Sequence, residues 1–143
     1  MKQYFSSCEN DTLKIAEEFA GNLRAGDVVA FRGGMGMGKT VFVRGCADVL
    51  GIDNEISSPT FSIVNDYGGK INVYHFDMYR VESWDSLYST GFFDYLNENS
   101  ILFIEWSENI ENVLPDNTIT VCFSRTDSEN ERIIEIDGGD GRW

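Results

Sequence analysis

The 143-residue chain carries 24 acidic against 11 basic residues, a formal net charge of −13. Such a surface repels a phosphate backbone, because non-specific nucleic-acid affinity comes mainly from Lys and Arg neutralising phosphates. Broad direct binding of RNA or DNA is therefore disfavoured. Apolar residues make up 42% of the chain, with ten Phe, six Tyr and three Trp, which suits one domain with one core and excludes a disordered polymer. No apolar run approaches the ~18–20 residues needed to cross a bilayer. Residues 1–6 lack the apolar stretch of a signal peptide. Cys8, Cys46 and Cys122 form no CxxC pair, and with a single histidine they disfavour a structural zinc site; free thiols without an export signal point to the cytoplasm.

Taken in chain order, Tyr4 and Phe5 read as a short edge strand. Leu13, Ala16, Phe19, Ala20 and Leu23 share one helical face, and Ser6 with Glu9 fits a capping box ahead of it. Residues 28–31 are a short apolar run of the kind a buried parallel strand shows. A glycine-rich loop follows. Phe42, Val43, Cys46, Ala47 and Leu50 then mark a second helix, which Gly51 stops. Residues 61–67 and 71–76 read as two strands joined by a hairpin turn at Gly68-Gly69-Lys70. Short helical pieces are expected at 83–88 and 92–96, separated by Gly91. Strands follow at 101–104, 119–123 and 133–136, and the tail at 138–143 has no packing pattern, so it is expected to be flexible, outside a domain of residues 1–137. The pattern predicts an α/β fold: a mixed, mainly parallel sheet flanked by helices.

Gly33-Gly34-Met35-Gly36-Met37-Gly38-Lys39-Thr40 matches G-x-x-x-x-G-K-[ST] in full. Glycines let the backbone curl so that successive N–H groups point at phosphate oxygens. In this pattern Lys39 places its charge on the β- and γ-phosphates and the Thr40 hydroxyl ligates Mg²⁺. The helix that continues through Val41 directs its positive end at the same anion. A buried strand before and an amphipathic helix after supply the context the motif requires, so a small P-loop NTPase is expected.

Such a site needs acids to hold the metal and orient water. Glu105 follows residues 101–104, where an acid at the carboxyl end of a buried strand lies beside the phosphates. Asp77 closes the strand at 71–76 and is a second candidate, although Asp is common at strand ends. Thr60, in Ser57-Ser58-Pro59-Thr60-Phe61, is either a switch hydroxyl sensing the γ-phosphate or part of a plain turn. His75 is the single histidine, and a lone His in an alternating strand is more often structural than catalytic. Trp106 reads as a packing residue before a ligand-stacking one. Arg80 and Arg132 either reach a phosphate or pair with the many acids.

Several motifs then fall into one order: Arg32-Gly33-Gly34-Met35-Gly36-Met37-Gly38-Lys39-Thr40, Phe42-Val43-Arg44-Gly45, Ser58-Pro59-Thr60-Phe61, Tyr74-His75-Phe76-Asp77-Met78-Tyr79-Arg80, Ile104-Glu105-Trp106 and Leu114-Pro115-Asp116. This string, over about residues 9–123, closely resembles the TsaE (YjeE) family, small bacterial ATPases of tRNA threonylcarbamoyladenosine synthesis. The resemblance implies ATP and Mg²⁺ as cofactors and the TsaB–TsaD pair as partners, with tRNA touched only through them. Those partners, aided by TsaC, place the threonylcarbamoyl group on adenosine 37 of tRNAs that read codons beginning with A. By position it implies Lys39 and Thr40 for phosphate and Mg²⁺, Asp77 and Glu105 for metal and hydrolysis, and Thr60 in a switch. Two positions depart from the family's usual G-D-x-G-A-G-K-T: Gly34 stands for the Asp and Met37 for the Ala. Neither change removes a phosphate-cradling N–H.

Other readings have specific requirements. A small-molecule kinase needs an arginine-bearing lid and an acceptor pocket, and no such insertion is visible. A GTPase would carry N-K-x-D, which is absent. A module in which nucleotide only controls docking has no need of Asp77 and Glu105 together.

Overall fold

The computed structural model describes residues 1–34, 36–52 and 64–143. Its strands are β1 (Lys2–Ser6), β2 (Val28–Arg32), β3 (Val64–Gly68), β4 (Asn72–Asp77), β5 (Ser100–Glu105), β6 (Ile119–Arg125) and β7 (Arg132–Asp137). They form one sheet in the order β1-β7-β6-β2-β5-β4-β3. The central four, β6-β2-β5-β4, pair in parallel. Antiparallel pairings of β7, β1 and β3 extend the two edges. The expected α/β fold with a mixed sheet is what is found, with the parallel part confined to the centre.

The helices are α1 (Glu9–Ala20), α2 (Lys39–Leu50), α3 (Trp84–Ser89) and α4 (Phe92–Tyr95). Every residue of β5 is buried, and β2 is buried up to Arg32. Both read as continuous apolar runs because helices cover both faces of a parallel sheet. On one face α1 and α2 pack Phe19 and Phe42 against Phe31, Phe103 and Phe123. On the other, α3, α4 and a 3₁₀ turn at Ser107–Val113 cover Phe76, Leu102 and Ile104. The α1–α2 crossing is tight. A Cβ on Gly45 would stand 2.7 Å from Ala16 Cβ and 2.8 Å from the Leu13 carbonyl oxygen. This close approach seats α2, and with it the loop before it, firmly on the sheet.

Two local expectations are corrected, and one element appears where none was expected. The Ser6–Glu9 capping box does not form: α1 is capped by Cys8, without a side-chain hydrogen bond from that residue. Ser6 belongs to β1, where its hydroxyl contacts the Cys8 carbonyl and the Thr12 hydroxyl, and Asp11 instead accepts from the Ser7 N–H at 3.0 Å. The tail expected to be flexible is packed. Trp143 stacks on Phe19 with ring centroids 4.7 Å apart and donates its indole N–H to the Phe19 carbonyl. Arg142 makes a bidentate pair with the buried Asp27, at 2.9 and 2.8 Å. These partners are more than 100 residues away, so no local pattern announces them. Finally, Ser107–Val113 forms a 3₁₀ turn for which no element was expected.

Candidate active site

β2 ends at Arg32 and the loop turns at once. Gly33 has φ 127°, and a Cβ there would lie 2.8 Å from the Phe123 carbonyl oxygen, so only glycine passes beside β6. Gly36 and Gly38 also take left-handed backbone angles, 73° and 100°, a region glycine occupies without steric cost. Around Gly34, Gly36 and Gly38 nothing lies within 4 Å of an added Cβ. Their open sides leave room for an anion to approach the backbone. Met37 packs on the core and Val41 is half-buried. Met35 and Thr60 lie outside the described residues.

Gly38 caps α2, which begins with Lys39 and Thr40. Lys39 is only 6% exposed. Its ammonium donates to the Gly33 carbonyl at 2.7 Å and sits 5.2 Å from the centroid of the Trp106 ring. Lysine is almost never buried without a partner, and here the carbonyl and the aromatic face serve as partners.

Parallel pairing of β4 with β5 sets Asp77 directly opposite Glu105. Both expected acids thus stand side by side at the carboxyl ends of central strands, the edge at which β2 turns into the loop. Burial pushes the Asp77 carboxyl above the ordinary range; the Tyr79 N–H that it accepts opposes this, and the neighbouring Glu105 charge reinforces it. His75 and Lys39 pull in the opposite direction. Two adjacent carboxylates that repel one another are a poor arrangement on their own and a good one beside a cation.

His75 is fully buried. Its Nδ1 is 2.8 Å from the Tyr67 hydroxyl and its Nε2 is 2.7 Å from Glu105 Oε2. The second contact has ion-pair distance, but Nε2 lacks a directed hydrogen bond. Tyr67 went unnoticed in the sequence, because its meeting with His75 depends on a register shift between Asp66 and Gly68 that no alternation pattern announces.

After β5 the chain turns through Trp106, a non-glycine residue at φ 57°. Such backbone costs about 1–3 kcal/mol and persists only where the surroundings hold it. Tyr79 packs on the ring at 4.9 Å, the Ser107 hydroxyl donates to the Phe31 carbonyl, and Asn109 donates to the Met78 carbonyl. The turn is thereby tied to the ends of both β2 and β4. Arg32 adds a bond to Glu111 at 2.6 Å. Arg80 is exposed, and Arg132 donates to the Glu129 and Glu131 carbonyls of its own turn.

Among the described residues, no group of three or more His, Cys, Asp or Glu is placed to hold a metal ion alone. Mg²⁺ is commonly bound through one or two carboxylates plus substrate phosphates. The pair Asp77–Glu105 beside the open loop fits such a metal. No helix among the described residues is long and apolar enough to cross a membrane.

A glycine-rich loop joining a buried parallel strand to a helix, with an enclosed lysine and two acids on adjacent strand ends, defines a P-loop nucleotide-binding protein. Comparison with known proteins narrows the class. The model of the family described as "Threonylcarbamoyl adenosine biosynthesis protein TsaE" matches residues 6–134. A Rickettsia prowazekii (strain Madrid E) protein named tRNA threonylcarbamoyladenosine biosynthesis protein TsaE is 39% identical over 133 residues, 90% of this chain and 89% of that protein. A Bacillus subtilis (strain 168) protein of the same name is 34% identical over 86% of this chain and 77% of its own length. The crystal structure of Bacillus subtilis YdiB superposes with a TM-score of 0.80 at 28% identity, covering 99% of this chain and 87% of that one. The chain belongs to the TsaE family.

Proposed function

We propose that this protein binds Mg²⁺·ATP at the loop Gly33–Val41 and hydrolyses it, and that this activity serves formation of the threonylcarbamoyl group on adenosine 37 of tRNAs reading codons that begin with A. The observation that carries the reading is the pairing of Asp77 with Glu105 across β4 and β5 at the edge where Lys39 and the loop lie. The names borne by the relatives supply the pathway.

Lys39 exchanges the Gly33 carbonyl for the β- and γ-phosphates, and loop N–H groups complete the cradle. Thr40, with Asp77 or Glu105 or both, would hold Mg²⁺, which when bound supplies positive charge against that building on the transferred phosphoryl group. Glu105 orients the attacking water and accepts its proton as the new P–O bond forms and the β–γ bridge breaks. Thr60 is assigned to a switch that reports the γ-phosphate. The acidic surface suits a protein that reaches tRNA through the TsaB–TsaD complex in the cytoplasm rather than by direct contact.

The test is Mg²⁺-dependent ATP hydrolysis by the purified protein, alone and with TsaB–TsaD from the same organism. We expect turnover that the partners stimulate, and that Glu105→Ala lowers by about 10²–10⁴-fold while keeping nucleotide binding. Tight ATP binding with no hydrolysis in either condition would instead favour a module whose docking is controlled by nucleotide.

A further inference from the structure

We infer that His75, held by Tyr67, is a positioning residue for Glu105 in the hydrolytic step, an inference that rests on the ATPase reading above. Three polar side chains run in a line from β3 through β4 to β5. Tyr67 is 4% exposed, His75 0% and Glu105 6%. The contacts along the line are 2.8 Å, Oη to Nδ1, and 2.7 Å, Nε2 to Oε2. Burying such groups is costly unless each meets a partner, and the surrounding positions, Val73, Ile101 and Phe103, are apolar. A fourth apolar side chain would fill the place of His75 more cheaply.

The chemistry of the line gives it direction. With the Tyr67 hydroxyl assigned as the donor to Nδ1, the ring proton lies on Nε2, facing the carboxylate. His75 then holds Oε2 of Glu105 and transfers no proton itself. Strand register adds precision: His75 lies opposite Phe103 and Asp77 opposite Glu105, so the ring reaches Glu105 from the same strand that carries the second acid. The Nε2 contact is close but poorly directed. Catalytic contacts of this kind tighten when the reacting groups are in place. Through Tyr67 the orientation of Glu105 is tied to the β3–β4 hairpin.

The experiment compares kcat and nucleotide Kd for wild type, His75→Asn, His75→Gln and Tyr67→Phe. Asn lacks a donor at the Nε2 position, whereas the Gln amide reaches it. We expect His75→Asn to lower kcat roughly 10–100-fold with Kd unchanged, His75→Gln to recover much of the loss, and Tyr67→Phe, which keeps its ring, to show a smaller loss of the same kind. Ring ¹⁵N spectra add a readout independent of turnover: His75 is the single histidine, its proton is expected on Nε2, and Tyr67→Phe should mix the two tautomers. Full kcat in His75→Asn, equal losses in the Asn and Gln variants, or a wild-type proton on Nδ1 would overturn the inference while leaving the ATPase reading intact. A wild type without turnover would overturn both.

Discussion

Lys39 stands over the face of Trp106, its Nζ 5.2 Å from the ring centroid, while the same ammonium donates to the carbonyl of Gly33. The lysine is thus folded back onto its own turn. A cation–π contact contributes about 0.5–1 kcal/mol at exposed sites and more when desolvated. A phosphate brings full negative charge that the Gly33 carbonyl lacks, so an arriving nucleotide should draw the ammonium away from both partners.

Nucleotide binding should therefore change the emission of Trp106. We expect Mg²⁺·ATP to shift wild-type fluorescence and Trp106→Phe to abolish that shift, with Trp84 and Trp143 left as an unresponsive background. Lys39→Ala should lose nucleotide binding altogether. Equal binding by wild type and Lys39→Ala would sink the assignment of the loop.

Asp77 gives a pH-dependent prediction. Burial and the charge of Glu105 raise its carboxyl pKa above the ordinary value of 3.8. A group that holds its proton more tightly folded than unfolded makes stability fall as pH rises through the carboxylate range, and the penalty then persists at neutral pH. Asp77→Asn removes that penalty and keeps an oxygen for the Tyr79 N–H. Its Tm should exceed that of wild type at neutral pH, with the difference closing toward about pH 3. A variant no more stable than wild type at neutral pH would contradict this, as would a difference that grows in acid.

Two arginine pairs among the described residues should behave differently. Arg142 and Asp27 have side chains only 15% and 9% exposed, whereas Arg32 and Glu111 are 34% and 56% exposed. Removing one member of a largely buried pair strands the other charge, so Arg142→Ala should cost about 3 kcal/mol. Glu111→Ala should cost less than about 1 kcal/mol. Urea unfolding of the two variants checks the order, and a larger loss in Glu111→Ala would reverse it.

The local parts of the site were legible in the sequence because each is written in one short run. Gly33 through Thr40 needs its glycines in order, and Glu105 follows four apolar residues. Pairing between distant strands was not legible. The Asp77–Glu105 opposition depends on β4–β5 register, which the sequence states only as two apolar runs. Tyr67 meets His75 beside a register shift between Asp66 and Gly68, which no periodicity specifies. The packed tail was missed for a related reason: Arg142 and Trp143 follow three glycines among Gly138, Gly139 and Gly141, and their partners lie on α1 and just before β2.

The strand order has a consequence for how the chain acquires its site. β2 carries the loop, yet its two neighbours, β5 and β6, come from the C-terminal half. On the ribosome the glycine-rich segment emerges long before either flanking strand exists. Non-local pairings of this kind are slow because loop closure must precede the contacts that reward it. Until Ser100–Glu105 has been made and has docked between β2 and β4, neither the pair of acids nor the wall behind Lys39 is assembled. Completion of the site therefore waits for the C-terminal half of the chain, and a chain stopped before Ser100 holds the loop without the pair of acids.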